Sequence, residues 1–178
     1  GERYVGSDVI KEMAERFANA LRAKEHIHLA EEVLGYRYEP DETLPRAYIF
    51  DIDGTLARNV GRSPYDYTRV SEDEPVRAVV ELARYLNEWG HDIVVVSGRE
   101  ESCRVDTEVW LANHAHSGIH HRPIPAALFM RATGDKRDDA TVKLEIFRTH
   151  IAPQWNVEGI FDDRNRVVRM WRSIGLLC

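Results

Sequence analysis

The segment Ala47-Tyr-Ile-Phe-Asp51-Ile-Asp-Gly-Thr-Leu56 carries the strongest structural signal in this chain. Its first four residues are apolar and run directly into two carboxylates that stand two positions apart. Such a run predicts a buried strand, and Gly54 permits a sharp turn at its end. Because side chains alternate along a strand, Asp51 and Asp53 can face one side while Ile52 faces the other. We therefore expect a strand that delivers two acids to one place.

The rest of the chain alternates between apolar runs and helical periodicity. Runs typical of strands occur at 92–96, 126–130, 157–161 and 176–178, the last of which is only the opening of a strand. Helical spacing of apolar residues occurs at 75–89, 105–116, 140–150 and 165–174. Short apolar strands separated by helices indicate an α/β fold with a parallel sheet that is covered by helices on both faces.

Residues 1–40 form a separate segment in this interpretation. Apolar residues at helical spacing predict a helical extension over 7–34, with Ser7 as its N-cap. Pro40 and Pro45 are typical of a linker, so we expect the main domain to cover residues 46–178.

Composition sets limits on the function. The chain has 178 residues, of which 43% are apolar and 30% charged, which suits one compact domain with a short appendage. The net charge of −6 argues against bulk polyanion binding, although it permits one basic pocket. We expect no membrane span and no secretory signal. Two cysteines fit a reducing cytoplasm, so a cytoplasmic location is predicted.

Polar residues follow the predicted strands where each one ends. Ser97 follows the second strand, Asp162 and Asp163 follow the fourth, and the helix that begins near Asp139 carries Lys143. Ligands gather at the carboxyl edge of such sheets, so these groups should meet there with the first two acids.

Each group has a role if the substrate is a phosphate monoester. One acid of the first pair can attack phosphorus, and the other can protonate the departing oxygen and later deprotonate water. Lys143 adds a fixed positive charge, and Ser97 can hydrogen-bond the phosphoryl oxygens. Asp51 with Asp162 or Asp163 offers hard oxygen ligands for Mg²⁺. Asp53 is a further candidate ligand for this Mg²⁺.

Two other metal sites fit the sequence poorly. A calcium loop of the EF-hand type needs Asp or Asn, Gly and Glu where this chain has Thr55, Leu56 and Arg62. A group of histidines invites a zinc interpretation, but their spacing fits no structural zinc site and no cysteine joins them. These residues are His114, His116, His120 and His121, and we expect a surface loop or a substrate-facing edge.

The motifs at 51–56, Ser97, Lys143 and Asp162-Asp163 resemble those of the haloacid dehalogenase superfamily of aspartyl-phosphate phosphatases. Further segments resemble the 3′-phosphatase domain of bacteriophage-type polynucleotide kinase–phosphatases over roughly 46–178. These segments are 61–66, 94–99, 134–143, 150–153 and 167–175. The resemblance implies a haloacid-dehalogenase-like Rossmannoid fold with a small flap.

The resemblance also implies a function and assigns roles. Members of that family remove 3′-phosphates and 2′,3′-cyclic phosphates from DNA or RNA ends with Mg²⁺, so that ends can be sealed during repair. Asp51 would be the nucleophile and Asp53 the acid and base. Further positions match the family active site or suit contact with phosphates: Arg62, Arg99, Asp139, Arg131, Lys136, Arg137 and Arg164.

The complete family protein also carries a P-loop 5′-kinase domain. The P-loop motif does not occur in this sequence, so residues 1–40 would be the tail of that kinase domain and the chain a fragment. The family sheet also continues beyond the position of Cys178. We therefore expect fusion to a kinase in the full protein.

Spacing bears on substrate size. Fewer than twenty residues separate Leu56 from Pro75, which leaves room for a flap at 61–67 and no large cap domain. An open site of this kind admits a polymer end. A phosphatase for small metabolites or mononucleotides and a non-catalytic end-binding module remain as alternatives. DNA or RNA preference, the oligomeric state, and the choice between Asp162 and Asp163 as metal ligand stay open.

Overall fold

Four strands form one parallel sheet, in the order β5 (Ala127–Arg131), β4 (Asp92–Glu100), β1 (Arg46–Phe50) and β6 (Asn156–Phe161). The computed structural model describes residues 36–63, 66–115 and 123–178. The strands in these ranges are β1 (Arg46–Phe50), β2 (Ala57–Arg58), β3 (Glu74–Pro75), β4 (Asp92–Glu100), β5 (Ala127–Arg131) and β6 (Asn156–Phe161). The α-helices are α1 (Arg77–Glu88), α2 (Arg104–His114), α3 (Asp139–Ile146) and α4 (Asn165–Ser173). The α/β prediction is confirmed, while the helix predicted over 7–34 lies outside the described residues.

Shorter helical turns connect these elements. They are 3₁₀ turns at Tyr67–Glu72 and Glu101–Cys103 and a π-helical turn at Phe147–Ile151. The π turn continues α3, which explains why the sequence pattern predicted one helix over 140–150. Residues 176–178 were expected to open a strand but have no strand assignment, although the Ile160 amide donates to the Leu177 carbonyl at 2.9 Å. In the part of the chain described, no helix combines the length and apolarity of a membrane span.

Alternation along β1 and β4 gives the sheet an apolar surface on both sides. On one face Ile49, Val94 and Val96 pack against Phe147 and Trp171. On the opposite face the buried cluster contains Phe50, Ile93, Val95, Leu86 and Trp110. Each fully buried side chain of this size contributes roughly 1.5–3 kcal/mol of transfer free energy. The helices therefore hold the strands from both sides, as the sequence predicted.

The connection from β1 to α1 forms the flap. Its base is an antiparallel pair in which Ala57 faces Pro75 and Arg58 faces Glu74. The 3₁₀ turn at Tyr67–Glu72 places Val70, which is fully buried, in a cluster with Cys103 and Met130. The flap is thus anchored to the body of the protein, and its short length leaves no room for an independent cap.

Two strands carry irregularities that turn charged side chains toward the ends of the sheet. In β4, Ser97 pairs with Met130 and Glu100 with Arg131, so that Gly98 and Arg99 have no partner on β5. In β6, a similar shift leaves Glu158 as an extra residue between two pairs with β1. Bulges of this kind re-aim side chains. The run predicted to end at 96 accordingly extends to Glu100.

Candidate active site

Lys143 lies at the centre of the carboxyl edge of the sheet. Its Nζ is 2.9 Å from Asp51 Oδ1 and 2.7 Å from Asp162 Oδ2. Asp139, one turn earlier on α3, brings Oδ2 to 3.8 Å from the same nitrogen. The Lys143 side chain is only 1% exposed. The ends of β1 and β6 and the first turns of α3 thus converge, as the sequence predicted.

Burial and charge act in opposite directions on this group. Burial raises the pKa of Asp51, and the ammonium of Lys143 opposes that rise. Burial lowers the pKa of Lys143, but the charges of Asp51, Asp162 and Asp139 outweigh it and hold this pKa above its ordinary value. Lys143 is therefore a permanent cation inside an acidic cluster.

Asp51, Asp162 and Asp163 could hold a metal ion. Each offers a carboxylate oxygen, and these oxygens all lie within 4.8 Å of one another. Burial raises the pKa of Asp163, and the neighbouring charge of Asp162 raises it further. Hard oxygen ligands suit Mg²⁺, and a cation would relieve the repulsion among the acids. The residues present therefore fit a magnesium ion.

Gly54 makes room for this arrangement. Its φ of +87° lies in the left-handed region, and a Cβ at this position would come within 2.2 Å of Asp163 Oδ2. Only glycine satisfies both conditions. The turn after β1 thus brings the Asp163 carboxylate directly against the backbone of the motif.

Asp53 lies in a different environment from Asp51. Arg99 donates to both of its oxygens at 2.9 Å, and Arg62 Nη2 donates to Oδ1 at 3.0 Å. Burial raises the pKa of Asp53, but the hydrogen bonds and charges of Arg99 and Arg62 outweigh burial and lower it. Its carboxylate is not part of the group with metal-ligand spacing.

Asp73, which the sequence analysis missed, holds the two arginines. Arg62 donates to Asp73 Oδ1 at 2.8 Å and to Oδ2 at 2.5 Å, and Arg99 donates to Oδ2 at 2.6 Å. The Asp73 carbonyl also accepts a hydrogen bond from Trp110 Nε1 at 2.7 Å. Asp73 lies in the acidic loop Glu72-Asp-Glu74, away from any predicted strand end, so the sequence offers no signal for it.

The predicted substrate arginines Arg62 and Arg99 are therefore paired within the protein. Their side chains are at most 1% exposed. Two arginines and two aspartates form this network, which is electrically balanced. It borders the lysine-centred cluster, which has an excess of acids.

Ser97 lies at the bulge of β4, and Asp139, at the start of α3, lies against the same bulge. The Ser97 hydroxyl is buried and accepts a hydrogen bond from the Arg99 amide at 3.2 Å. A Cβ on Gly98 would come within 2.6 Å of Asp139 Oδ1, so this strand packs closely against the start of α3. Asp138 caps that helix, since its side chain accepts from the Ala140 amide at 2.8 Å.

Arg131 was expected to contact nucleic acid, and the structure shows it bonded to the protein. It donates to the carbonyls of Gly98, Asp135 and Arg137 at 3.1, 3.3 and 2.8 Å. It also donates to Asp139 Oδ1 at 2.9 Å. Arg131 thus fixes the loop between β5 and α3.

A cavity of about 400 Å³ opens above Asp51 and Asp53. Several cations line it: Arg131, Lys136, Arg137, Arg164 and Arg166. Arg164 Nη1 lies 3.5 Å from Asp139 Oδ2, and Arg137 pairs with Asp135 at 2.7 Å. The cavity is therefore lined by cations and carboxylates together, and most of these cations pair with a neighbouring acid. The histidine group of the sequence lies only partly within the described residues. His114 ends α2, whereas His116, His120 and His121 lie outside the described residues.

Comparisons with known proteins identify the family of this chain. The family described as "Polynucleotide kinase PNKP phosphatase domain" matches residues 45–178. A protein of Autographa californica nuclear polyhedrosis virus, named "Putative bifunctional polynucleotide kinase/RNA ligase", is 36% identical over 136 residues, which are 75% of this chain and 19% of that protein.

Solved structures give the same result. A chain of the Pnkp1/Rnl/Hen1 complex is 35% identical, with a TM-score of 0.71, 83% of this chain covered and 49% of that one. A chain of the Pnkp1/Rnl/Hen1 RNA repair complex is 30% identical, with a TM-score of 0.72, 100% of this chain covered and 56% of that one. A class C acid phosphatase from Bacillus anthracis with tungstate bound shares the fold at 17% identity, with a TM-score of 0.52, over 90% of this chain and 65% of that one. This chain thus spans about a fifth of the viral relative and about half of the two repair-complex chains.

Proposed function

We propose that this chain, which belongs to the PNKP phosphatase domain family, removes 3′-phosphates from polynucleotide ends with Mg²⁺. It is a phosphoric monoester hydrolase of the haloacid dehalogenase type. The observation that carries the proposal is that the two acids of the motif, Asp51 and Asp53, lie in different electrostatic environments. Asp51 is buried beside Lys143 at 2.9 Å, and Asp53 is held by Arg99 at 2.9 Å. Two acids with separate environments suit two chemical roles.

The first step transfers the phosphoryl group to the protein. An oxygen of Asp51 forms a bond to phosphorus while the bond from phosphorus to the 3′-oxygen breaks. The electron pair of that bond goes to the 3′-oxygen, which takes a proton from Asp53, so that a 3′-hydroxyl leaves. Asp53 must therefore carry a proton when the substrate is bound. Arg62 and Arg99 lower the pKa of Asp53 in the free protein, whereas the negative charge of a bound phosphate raises it.

The second step releases phosphate. Asp53, now ionised, takes a proton from water while the water oxygen bonds to phosphorus. The bond between phosphorus and Asp51 breaks, and its electron pair returns to the carboxylate. Arg62 and Arg99 suit Asp53 to the role of base, since they favour its ionised form.

Charge is the main obstacle to the first step. A carboxylate and one phosphate charge repel by about 4 kcal/mol at 4 Å and an effective dielectric constant of 20. Lys143 offsets part of this repulsion from its place beside Asp51. Mg²⁺ held by Asp51, Asp162 and Asp163 would offset the rest and would favour the ionised form of Asp51.

We further propose that the chain is the phosphatase part of a larger end-repair protein. The relatives named above include a putative kinase/RNA ligase and chains from an RNA repair complex, and these names favour RNA ends over DNA ends. A P-loop kinase fused to this domain would phosphorylate 5′-ends, while this domain would clear 3′-phosphates or 2′,3′-cyclic phosphates.

The experiment is an end-specific phosphate release assay. The purified chain receives RNA and DNA oligonucleotides that carry a 3′-phosphate, a 2′,3′-cyclic phosphate or a 5′-phosphate, with and without Mg²⁺. We expect release from 3′-ends with Mg²⁺ and none with Asp51→Asn, whose asparagine cannot form the acyl phosphate. Equal release by this variant would contradict the mechanism.

Two other outcomes identify the competing functions. A higher kcat/KM on a 3′-mononucleotide than on an oligonucleotide would indicate a small-molecule phosphatase. Tight binding of ends without turnover would indicate an end-binding module. The environments of Asp51 and Asp53 favour the enzyme, since a binding module needs no proton-transfer group.

A further inference from the structure

We propose that the ring of Tyr67 is the surface on which the base of the 3′-terminal nucleotide stacks. This inference rests on the proposed function, because it assigns the part of the substrate that adjoins the reacting phosphate. It concerns a residue to which neither the sequence motifs nor the ion-pair networks of the site give a role.

Tyr67 has a distinctive place in the cavity. It lines the same 400 Å³ space as Asp51 and Asp53, and it is the single aromatic side chain among the described residues that do so. The other lining side chains are charged, and the remaining position is Gly98. A phosphate near Asp51 can be bound by the cations that line this cavity. A nucleobase needs an apolar surface, and the ring of Tyr67 is the one that the lining offers.

The ring is also held in a fixed position. Tyr67 begins the 3₁₀ turn of the flap, and Asp66 caps that turn by accepting from the Thr68 amide at 3.1 Å. Behind it the ring packs against the buried cluster of Val70, Cys103 and Met130. A side chain that packs against this cluster and also lines the cavity is already ordered before the ligand arrives, which lowers the entropic cost of binding.

The hydroxyl of Tyr67 stays neutral in this place. Burial raises the pKa of Tyr67, and the nearby carboxylates of Asp53 and Glu100 raise it further. A neutral phenol adds no repulsion toward the phosphate. Stacking on an aromatic face suits every base, so this contact favours nucleic acid over simple phosphate esters without selecting a sequence.

Stacking predicts a particular kinetic effect. A contact made equally in the ground state and the transition state changes KM and leaves kcat unaltered. Base stacking on an aromatic side chain contributes about 1–3 kcal/mol, which corresponds to a roughly 5- to 150-fold change in kcat/KM.

The test compares two 3′-phosphorylated oligonucleotides that differ only in whether the terminal nucleotide carries a base or is abasic. Wild type, Tyr67→Phe and Tyr67→Leu are assayed on both. Trp89→Leu is the matched control, because Trp89 is 57% exposed and does not line the cavity. We expect Tyr67→Leu to lose at least 5-fold in kcat/KM on the end with a base, through KM, and less than 2-fold on the abasic end.

The remaining variants and outcomes separate the possibilities. Tyr67→Phe keeps the ring and should act like wild type, as should Trp89→Leu. Equal losses by Tyr67→Leu on both ends, or no loss on either, would overturn the stacking proposal. If the wild-type chain releases phosphate from neither end, the proposed function itself fails. Activity on the abasic end also shows that Tyr67→Leu is folded.

Discussion

The two ends of the parallel sheet each hold a cluster of charged side chains, and the clusters are opposite in composition. The cluster at the carboxyl edge is buried, whereas the one at the amino edge is partly exposed. At the carboxyl edge, the ammonium of Lys143 is surrounded by Asp51, Asp139 and Asp162. At the amino edge, the carboxylate of Glu158 contacts Arg46, Tyr48 and His91. Arg46 donates to it, the Tyr48 hydroxyl donates at 3.2 Å, and His91 Nε2 lies 3.2 Å away.

The difference between the clusters lies in how well the charges balance. Glu158 has enough donors, and its environment lowers its pKa to about 2: burial raises the pKa, but His91 and Arg46 outweigh burial. Lys143 faces more carboxylates than it can neutralise, and Asp163 adds another. A balanced cluster stabilises the fold, whereas a cluster with excess negative charge is suited to bind a cation. The same strands therefore carry a structural site at one end and a functional site at the other.

Removal of the central lysine should have the largest effect. Lys143→Met leaves several buried carboxylates without their cation, which typically costs about 3–5 kcal/mol in the free energy of unfolding. Activity should also fall at least 100-fold, roughly the effect of deleting one preorganised electrostatic partner. Urea unfolding and phosphate release measure the two effects.

Lys136→Met is the control for stability. Lys136 is 83% exposed and pairs with Glu100 at 3.2 Å, so its removal should cost at most about 1 kcal/mol. An equal cost for both lysine variants would show that the buried carboxylates around Lys143 do not depend on its charge for their stability.

Two glycines allow the ends of the sheet to be compared at constant backbone geometry. Gly54 has a φ of +87° and Gly90 a φ of +91°, but a Cβ on Gly54 would strike Asp163 whereas one on Gly90 meets nothing within 4 Å. Both alanine variants should lose about 1–2 kcal/mol of stability to the left-handed conformation. Only Gly54→Ala should lose activity, roughly 10- to 100-fold, because the candidate metal ligand Asp163 is displaced.

Steady-state kinetics and thermal unfolding of both alanine variants measure the losses of activity and of stability separately. If Gly90→Ala lost as much activity as Gly54→Ala, the loss would come from backbone strain. Full activity in Gly54→Ala would show that the Asp163 carboxylate can move without consequence.

At the amino edge, Glu158→Gln should change stability and its pH dependence but not activity. The pKa of Glu158 is lowered in the folded state, so its contribution is complete above about pH 4.5 and is lost as the pH falls toward about 2. We expect the variant to be less stable than wild type by about 2 kcal/mol at pH 7, which is less than the pKa shift alone would give, because Arg46 is 58% exposed and solvent screens the pair. The difference between the two proteins should vanish near pH 2.

Urea unfolding of both proteins from pH 2 to 7 measures this difference in the free energy of unfolding. The other titrating groups are the same in both proteins, so their contributions cancel in the difference. A difference that stays constant with pH would show that Glu158 acts through packing and not through its charge. A loss of phosphatase activity in the variant would mean that the two ends of the sheet are coupled.

The sequence predicted the carboxyl edge far better than the amino edge. Asp51, Asp162 and Asp163 follow apolar runs directly, and the rule that ligands gather at strand ends brings them together. Lys143 lies at the start of a helix after a strand, so the same rule places it nearby. The positions of these four residues at the carboxyl edge can be predicted because they depend only on the order of the strands and helices and on side-chain alternation.

The other features depend on register, which the sequence does not reveal. The family resemblance places Arg99 at the site, but the reason lies in the register: β4 bulges after Ser97. Glu158 enters its cluster because β6 has one extra residue opposite β1. Asp73 comes from a loop whose path is fixed by the burial of Val70. The internal partners of Arg62, Arg99 and Arg131 escaped the sequence analysis for the same reason.

Added Mg²⁺ should produce the smallest effect and the sharpest contrast between the two ends. An ion that binds only the folded protein stabilises it by about 1.4 kcal/mol at ten times its Kd, which raises Tm by about 3–5 °C for a protein of this size. Asp163→Asn should abolish the rise in Tm, because it removes one of the three candidate ligands. Glu158→Gln should show the full rise from a lower starting Tm, since its cluster is balanced without a metal. Calorimetric scans with Mg²⁺ and with EDTA measure both. If Mg²⁺ raised the Tm of Asp163→Asn as much as that of wild type, the ion would bind elsewhere, and excess charge at the carboxyl edge would not explain metal binding.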